Sequence, residues 1–197
     1  MFLVVSLSCF LGLAKYQVHE AQANGFIPFG LSGYPRNTAT VQEIIDIMIE
    51  YGMNTYRMSF NPSWFTSKPN PYNPTLITYY LDNTPSNFIV IVDVNHLYPP
   101  NSDSAQDYRD HWSDARTSIF NVLDNWGSNS RVWIEIVNEY VDSDYLTQIR
   151  KMTDEIRDAH YTNTIVNNKW NMAWSQSVIE DDSPGQWIGY HYYFNYW

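Results

Sequence analysis

The chain has 197 residues, 44% of them hydrophobic and 16% charged. That is enough for one globular domain with a sizeable core, and too apolar for a disordered chain. A formal net charge of -10 argues against nucleic acid or an anionic membrane surface as partner, since both are bound by clustered Lys and Arg. Neutral ligands stay open. The single cysteine, Cys9, allows no disulfide framework and no Cys-based zinc site within one chain. Aromatic residues make up 17%, with 8 Trp and 16 Tyr. Most of these belong in a core, but their flat apolar faces with a polar edge also suit sugar rings.

The run from Phe2 to Ala14 is apolar and is followed by Ala21-Gln22-Ala23. This reads as a leader over residues 1–23 with an A-x-A cleavage site, and hence as a secreted protein. The other reading is a first strand or helix of the fold. The run is too short to span a bilayer comfortably. From residue 24 onward a unit of short strand, loop and amphipathic helix recurs. Strands are expected at Phe26–Leu31, Asn54–Phe60, Phe88–Asn95, Arg131–Asn138, Thr164–Trp170 and Trp187–Tyr193. All are continuously apolar, as strands covered on both faces are.

The helices between them carry end signals. Thr40-Val41-Gln42-Glu43 reads as a capping box, Val41, Ile44, Ile45 and Met48 share one face, and Gly52 ends the helix. A long helix is expected from Ala105 to Trp126, with Tyr108, Trp112, Ala115, Ile119 and Val122 on a stripe and Gly127 after it. A third follows Asp142–Asp144 and lines up Tyr145, Ile149, Met152 and Ile156. Residues 61–73 and 98–103 are Pro-containing loops. Both follow strands.

Alternating strand and helix units give a parallel sheet, either a barrel or a doubly wound fold. No strand is followed by a Gly-rich phosphate turn. Polar residues gather at the strand ends instead: Arg57, Asn95 with His96, Asn138 with Glu139, Trp170, and His191 with Tyr193. Chemistry drawn from the carboxyl ends of several strands is the habit of the (β/α)8 TIM barrel. The expected fold is therefore an α/β barrel, residues 24–197 supplying about six units of it. A buried strand has no structural use for Asn-Glu at its end, because desolvating an unpaired carboxylate is costly.

With these segments in place, the chain resembles glycoside hydrolase family 5. "GMNTYRMSF" is similar to that family's second strand, with its supporting Arg at Arg57. "FIVIVDVNH" is similar to the third, "VWIEIVNEY" to the fourth, and "GYHYYF" to the sixth. The resemblance implies a retaining, cellulase-like glycosidase acting on a β-linked oligo- or polysaccharide, with no cofactor. It implies Glu139 as general acid/base, and Arg57, Asn95, His96, Asn138, Trp170, His191 and Tyr193 as substrate-side residues. Asn95 stands where the family has a His, with His96 one place on, and Tyr140 replaces a common Pro. The resemblance also implies a nucleophilic Glu on a seventh strand, beyond the six found here.

Other carboxylates fit that role poorly. Glu135 lies four residues deeper than Glu139 and is expected to pair with a basic group inside the barrel. Asp93 is expected to tie strand ends together, and Arg57 could bridge to either. Trp64 and Trp174 read more as packing than as sugar platforms. His111 and His160 read as surface or helix-packing residues. No His/Asp/Glu spacing suggests a metal. The expectation is an endo-β-1,4-glucanase-like enzyme whose nucleophile lies outside this chain. A six-unit sheet would leave its first and sixth strands as edges. It is resolved by a longer gene product, by a second chain that completes the barrel, or by a shortened homologue that binds carbohydrate without cleaving it.

Overall fold

A computed structural model of the chain describes residues 8–9, 29–62, 64, 70–95, 106, 108–138, 144–167 and 186–188. Its seven strands are β1 (Ser8–Cys9), β2 (Phe29–Gly33), β3 (Thr55–Ser59), β4 (Ile89–Asp93), β5 (Val132–Glu135), β6 (Ile165–Asn167) and β7 (Gln186–Ile188). The four helices with defined bounds are α1 (Thr38–Glu50), α2 (Pro74–Asn83), α3 (Trp112–Trp126) and α4 (Tyr145–Asp158).

The six strands expected from the sequence are β2 to β7, most of them shorter than expected. Within the described residues the ladder of β5 stops at Glu135, so Asn138 lies three residues past it rather than on the strand. β2 runs to Gly33, two residues beyond the expected end. Residues 168–170 and 189–193, the expected ends of the last two strands, lie outside the described residues.

α1 begins one turn earlier than the Thr40 capping box implied. Asn37, in extended backbone, takes the N-cap and accepts a 2.9 Å hydrogen bond from the Thr40 N–H. An Asn there satisfies a donor that the helix's first turn would otherwise leave unpaired. Val41, Ile45 and Met48 are buried, each contributing about 1.5–3 kcal/mol. Gly52 ends the helix at φ 66°. The Gly52 N–H donates to Ile49 O and the Met53 N–H to Met48 O, a Schellman closure.

α2 has no counterpart in the sequence reading. Its signals are Pro74 in the first turn and Asn73, whose side chain accepts from the Thr75 N–H at 3.1 Å. The expected helix from Ala105 is interrupted. Residues 106 and 108–110 are helical, His111 is a turn, and α3 starts at Trp112. Tyr108, Ala115, Ile119 and Val122 are buried, as the stripe required. Gly127 is demanded by space, since a Cβ there would lie 2.3 Å from the Tyr161 ring.

α4 buries Ile149, Met152 and Ile156. Arg116 of α3 pairs with Glu155, and the Lys151 ammonium sits 3.9 Å from the Trp112 ring centroid. α4 closes as α1 does, the Tyr161 N–H donating to Ile156 O. The residue at its left-handed position, however, is His160 at φ 65°. A side chain there is strained by about 1–2 kcal/mol. His160→Gly is therefore expected to raise unfolding stability by about 1 kcal/mol, read as a higher urea midpoint. An unchanged or lower midpoint would contradict the strain argument.

β2 to β7 lie side by side in chain order, every neighbouring pair parallel. A doubly wound sheet reverses its strand order partway; this one does not. The fold is a parallel α/β sheet of the singly wound, barrel-like kind. The edge of the first barrel strand is bordered in this structure by β1, from the segment read as a leader, which runs antiparallel along β2 with Ser8 opposite Gly30 and Cys9 opposite Phe29. On its other side Gly30 meets β3 so closely that a Cβ would lie 1.5 Å from Thr55 O.

The two faces of the sheet differ. Tyr56, Met58, Val90, Val92, Val132, Ile134 and Ile165 pack under the helices in the main core. The opposite face carries a smaller apolar cluster of Ile89, Ile91, Trp133 and Val166. Side chains on neighbouring parallel strands form rows, as in barrel interiors. One row is Ser32, Arg57, Ile91 and Trp133. The next, toward the carboxyl ends, is Ser59, Asp93, Glu135 and Val166.

The opposite end of the sheet is stapled. Arg131 donates to Phe88 O at 2.8 Å and to Leu81 O at 3.0 Å. The Asn163 amide donates to Val132 O at 2.9 Å and to Trp126 O at 3.1 Å. Among the described residues, no helix is long and apolar enough to cross a membrane.

Candidate active site

Ser59, Asp93 and Glu135 are the last residues of three adjacent strands. Arg57 starts one row deeper, and its side chain rises into theirs. Arg57 Nε donates to Glu135 Oε2 at 2.5 Å and Nη2 to Glu135 Oε1 at 2.7 Å. This two-point geometry matches a guanidinium to a carboxylate. Nη2 also donates to Asp93 Oδ2 at 2.8 Å and to Asn138 Oδ1 at 2.8 Å. Nη1 donates to Ser59 Oγ at 2.9 Å and Ser32 Oγ at 3.2 Å. A guanidinium has five N–H bonds, and Nη2 shares two of them among three acceptors. One of those two N–H bonds is therefore shared between two acceptors.

Asp93 and Glu135 are both fully buried, and Arg57 is 8% exposed. Charges at such depth are tolerated only when paired and hydrogen-bonded. Burial by itself lowers the Arg57 pKa; the carboxylates of Glu135 and Asp93 outweigh it, and the net direction is upward. An ordinary Arg already titrates above the accessible range, so Arg57 stays charged at every working pH.

Asn138 is 2% exposed. Arginine can only donate, so its contact settles which amide atom is oxygen and which nitrogen. Oδ1 faces Arg57, and Nδ2 is the donor on the other branch. Asn95 behaves differently from the expectation that it lines a sugar site. It is fully buried, and Nδ2 donates to Ile136 O at 3.1 Å and Ala115 O at 3.3 Å. In this arrangement it clamps the end of β4 to α3 and to the segment after β5. Its backbone N–H donates to Asp93 Oδ1 at 3.2 Å.

The loop after β3 is closed at its base, the Asn61 N–H donating to Asn70 O at 2.8 Å. Asn70 Nδ2 donates to Ser59 O at 2.9 Å. Trp64, on this loop, stacks on His111 with centroids 4.9 Å apart and planes 8° from parallel. That contact joins the loop to the start of α3, a packing role for both rings.

Of the residues singled out from the sequence, the structure brings Arg57 and Asn138 together and places Asn95 beside them through Asp93. Glu139, His96, Trp170, His191 and Tyr193 lie outside the described residues, as does Trp174. Glu135 pairs with the basic group inside the sheet, as expected, and Asp93, expected to tie strand ends together, meets the same Arg57 from the end of β4. Ser32 and Ser59 were missed. Their signal is parity: Ser59 shares Arg57's face of β3, and Ser32 faces Arg57 across the ladder.

No family model matches the chain, and no curated protein sequence matches it. Solved structures do. The catalytic domain of Thermobifida fusca endoglucanase Cel5A aligns with TM-score 0.56 and 15% identity over 81% of this chain and 56% of that one. A hyperthermophilic endo-β-1,4-glucanase in complex with substrate aligns with TM-score 0.55 and 18% identity over 74% and 50%. Cellulose synthase subunit Z from Clostridioides difficile aligns with TM-score 0.54 and 16% identity over 74% and 52%. The chain shares the parallel α/β fold of these proteins and spans about half the length of each.

Proposed function

We propose that the chain is part of a retaining β-glycanase of endo-glucanase type, within glycoside hydrolase family 5, and that its site binds a β-linked glucan. The observation that carries this reading is the Arg57 cluster. It holds Asn138 with a defined donor at the carboxyl ends of parallel strands, immediately before a glutamate. Similarity of fold to endoglucanases supports it.

In this reading the barrel is completed by polypeptide beyond the 197 residues, which also carries the nucleophile. Either a longer product or a second chain would serve. Residues 1–23 are read as a leader for secretion, and its removal would take β1 away from the edge of β2. The chemistry needs two carboxyl groups about 5 Å apart. Glu139 protonates the departing glycosidic oxygen, the nucleophile attacks the anomeric carbon, and Glu139 then takes a proton from the water that releases the sugar. Asn138 Nδ2 donates to the sugar 2-hydroxyl, a contact that tightens as positive charge grows on the ring. His191 and Tyr193 orient substrate and nucleophile, His96 contacts the substrate, and Trp170 stacks on a sugar ring.

A second reading has its own observation. Both described buried carboxylates, Asp93 and Glu135, are bound to Arg57, which suits neither to attack. A homologue that binds glucan without cleaving it would look the same. Titrating the chain with cellotetraose, and assaying reducing-end release from soluble β-1,4-glucan, separates the two. Binding that weakens in Asn138→Ala is expected under both. Hydrolysis appearing when the completing polypeptide is present supports the enzyme. Absence of binding at millimolar sugar rejects both.

A further inference from the structure

We propose that Glu135 and Asp93 are positioning residues for sugar recognition, acting through Arg57 to fix the Asn138 amide as a donor. This rests on the sugar-site reading above and names how that site reads one hydroxyl.

A free asparagine side chain can rotate to present either a carbonyl or an amino group, and so reads a donor or an acceptor indifferently. Arg57 removes that choice. Its Nη2 sits 2.8 Å from Asn138 Oδ1, and a guanidinium nitrogen cannot accept a hydrogen bond. Turning the amide over would set two donors against each other in a site from which water is nearly excluded. The cost of such a mismatch is high because neither group can find another partner.

Arg57 can impose this only if it is itself immobile. Glu135 holds it at Nε and Nη2, Asp93 at Nη2, and the two serines at Nη1. Asp93 and Glu135 sit opposite each other in the β4–β5 register, so strand pairing sets their spacing. The result is a rigid chain of contacts from two strand ends to one amide. Its consequence is selectivity for an acceptor oxygen on the sugar, which loss of the 2-hydroxyl would abolish.

The experiment compares binding of methyl β-cellobioside with that of its 2-deoxy analogue, by calorimetry or NMR titration. The unmodified chain is expected to prefer the hydroxylated sugar by about tenfold, the worth of one good hydrogen bond. In Glu135→Gln and in Arg57→Lys the preference should fall within about twofold, as in Asn138→Ala. Ser59→Ala removes a single anchor from Arg57 and should give an intermediate ratio of about threefold. It also decides the matter if the first two variants do not fold, which melting curves report. An effect on fold alone would lower both affinities and leave their ratio intact. A tenfold ratio retained in folded Glu135→Gln, Arg57→Lys or Ser59→Ala overturns the proposal. Equal affinity of the unmodified chain for the two sugars overturns it while leaving the sugar-site reading in place. Failure to bind either sugar overturns both.

Discussion

Arg57→Met should leave the chain largely unfolded or severely destabilised, with a loss of about 3–5 kcal/mol. Stability of a domain this size is typically about 5–15 kcal/mol, so the change removes a large share of it. The reason is what the substitution leaves behind. Asp93 and Glu135 are fully buried, and both are ion-paired to Arg57. Methionine fills much of the space but answers neither charge and none of the six acceptor contacts. The pair of carboxylates would then repel one another at adjacent strand ends. Replacing all three together, as Arg57→Met, Asp93→Leu and Glu135→Leu, should recover much of the loss, because buried ion clusters can be exchanged for apolar packing. Guanidinium unfolding followed by circular dichroism measures both. A single Arg57→Met variant within about 0.5 kcal/mol of the parent, the range typical of surface substitutions, would show that the cluster is not what holds these strand ends.

Glu139→Gln should abolish hydrolysis while sparing binding. General acid help is worth about 10²–10⁴ in rate, and in the proposed mechanism the same residue also serves as base in the second step. In the catalytic domain completed by its nucleophile, turnover of β-1,4-glucan should fall by about 10³-fold or more. The loss should be smaller for an aryl glycoside whose leaving group needs little protonation. Cellotetraose affinity should change little, since glutamine keeps the size and polarity of the side chain. Comparable losses for both leaving groups would assign Glu139 a role other than proton donor. Undiminished turnover of glucan would remove it from the mechanism.

These two expectations fall on different levels of the molecule, and they were legible to different degrees. Parallel strands buried on both faces announce themselves as apolar runs such as IVIVD, and β3, β4 and β5, buried along their whole length, were visible that way. Helix faces were equally plain: Ile149, Met152 and Ile156 follow the helical period and are buried. Helix ends were harder. Thr40 and Asn37 are both competent caps, and only the path of the chain out of β2 chose Asn37. α2 escaped notice because its stripe of Leu76, Ile77 and Tyr80 is short. The break at His111 could not be foreseen from a stripe that continues through it.

The candidate site divides in the same way. Local sequence identified Arg57 and Asn138 as residues out of place on apolar strands. It also reduced Glu135 to a partner for a buried basic group and Asp93 to a tie between strand ends, because a carboxylate among Ile and Val must be paired or be paid for in stability. Composition argued against an anionic partner, and period and order specified a parallel sheet. Register decided the rest. Ser32, Arg57, Asp93, Glu135 and Asn138 are spread over 107 positions of sequence, and no local pattern says which will meet. Pairing of β2 with β3, β3 with β4 and β4 with β5 brings the first four into two rows, with Asn138 three residues past the end of β5, and a one-residue slip would have turned the strand residues to the other face. Tertiary structure likewise turned Asn95 from a presumed sugar contact into a clamp on backbone carbonyls, since its burial depends on how α3 packs over β4. Residue chemistry limits what each side chain can do; three-dimensional pairing selects which of those things it does.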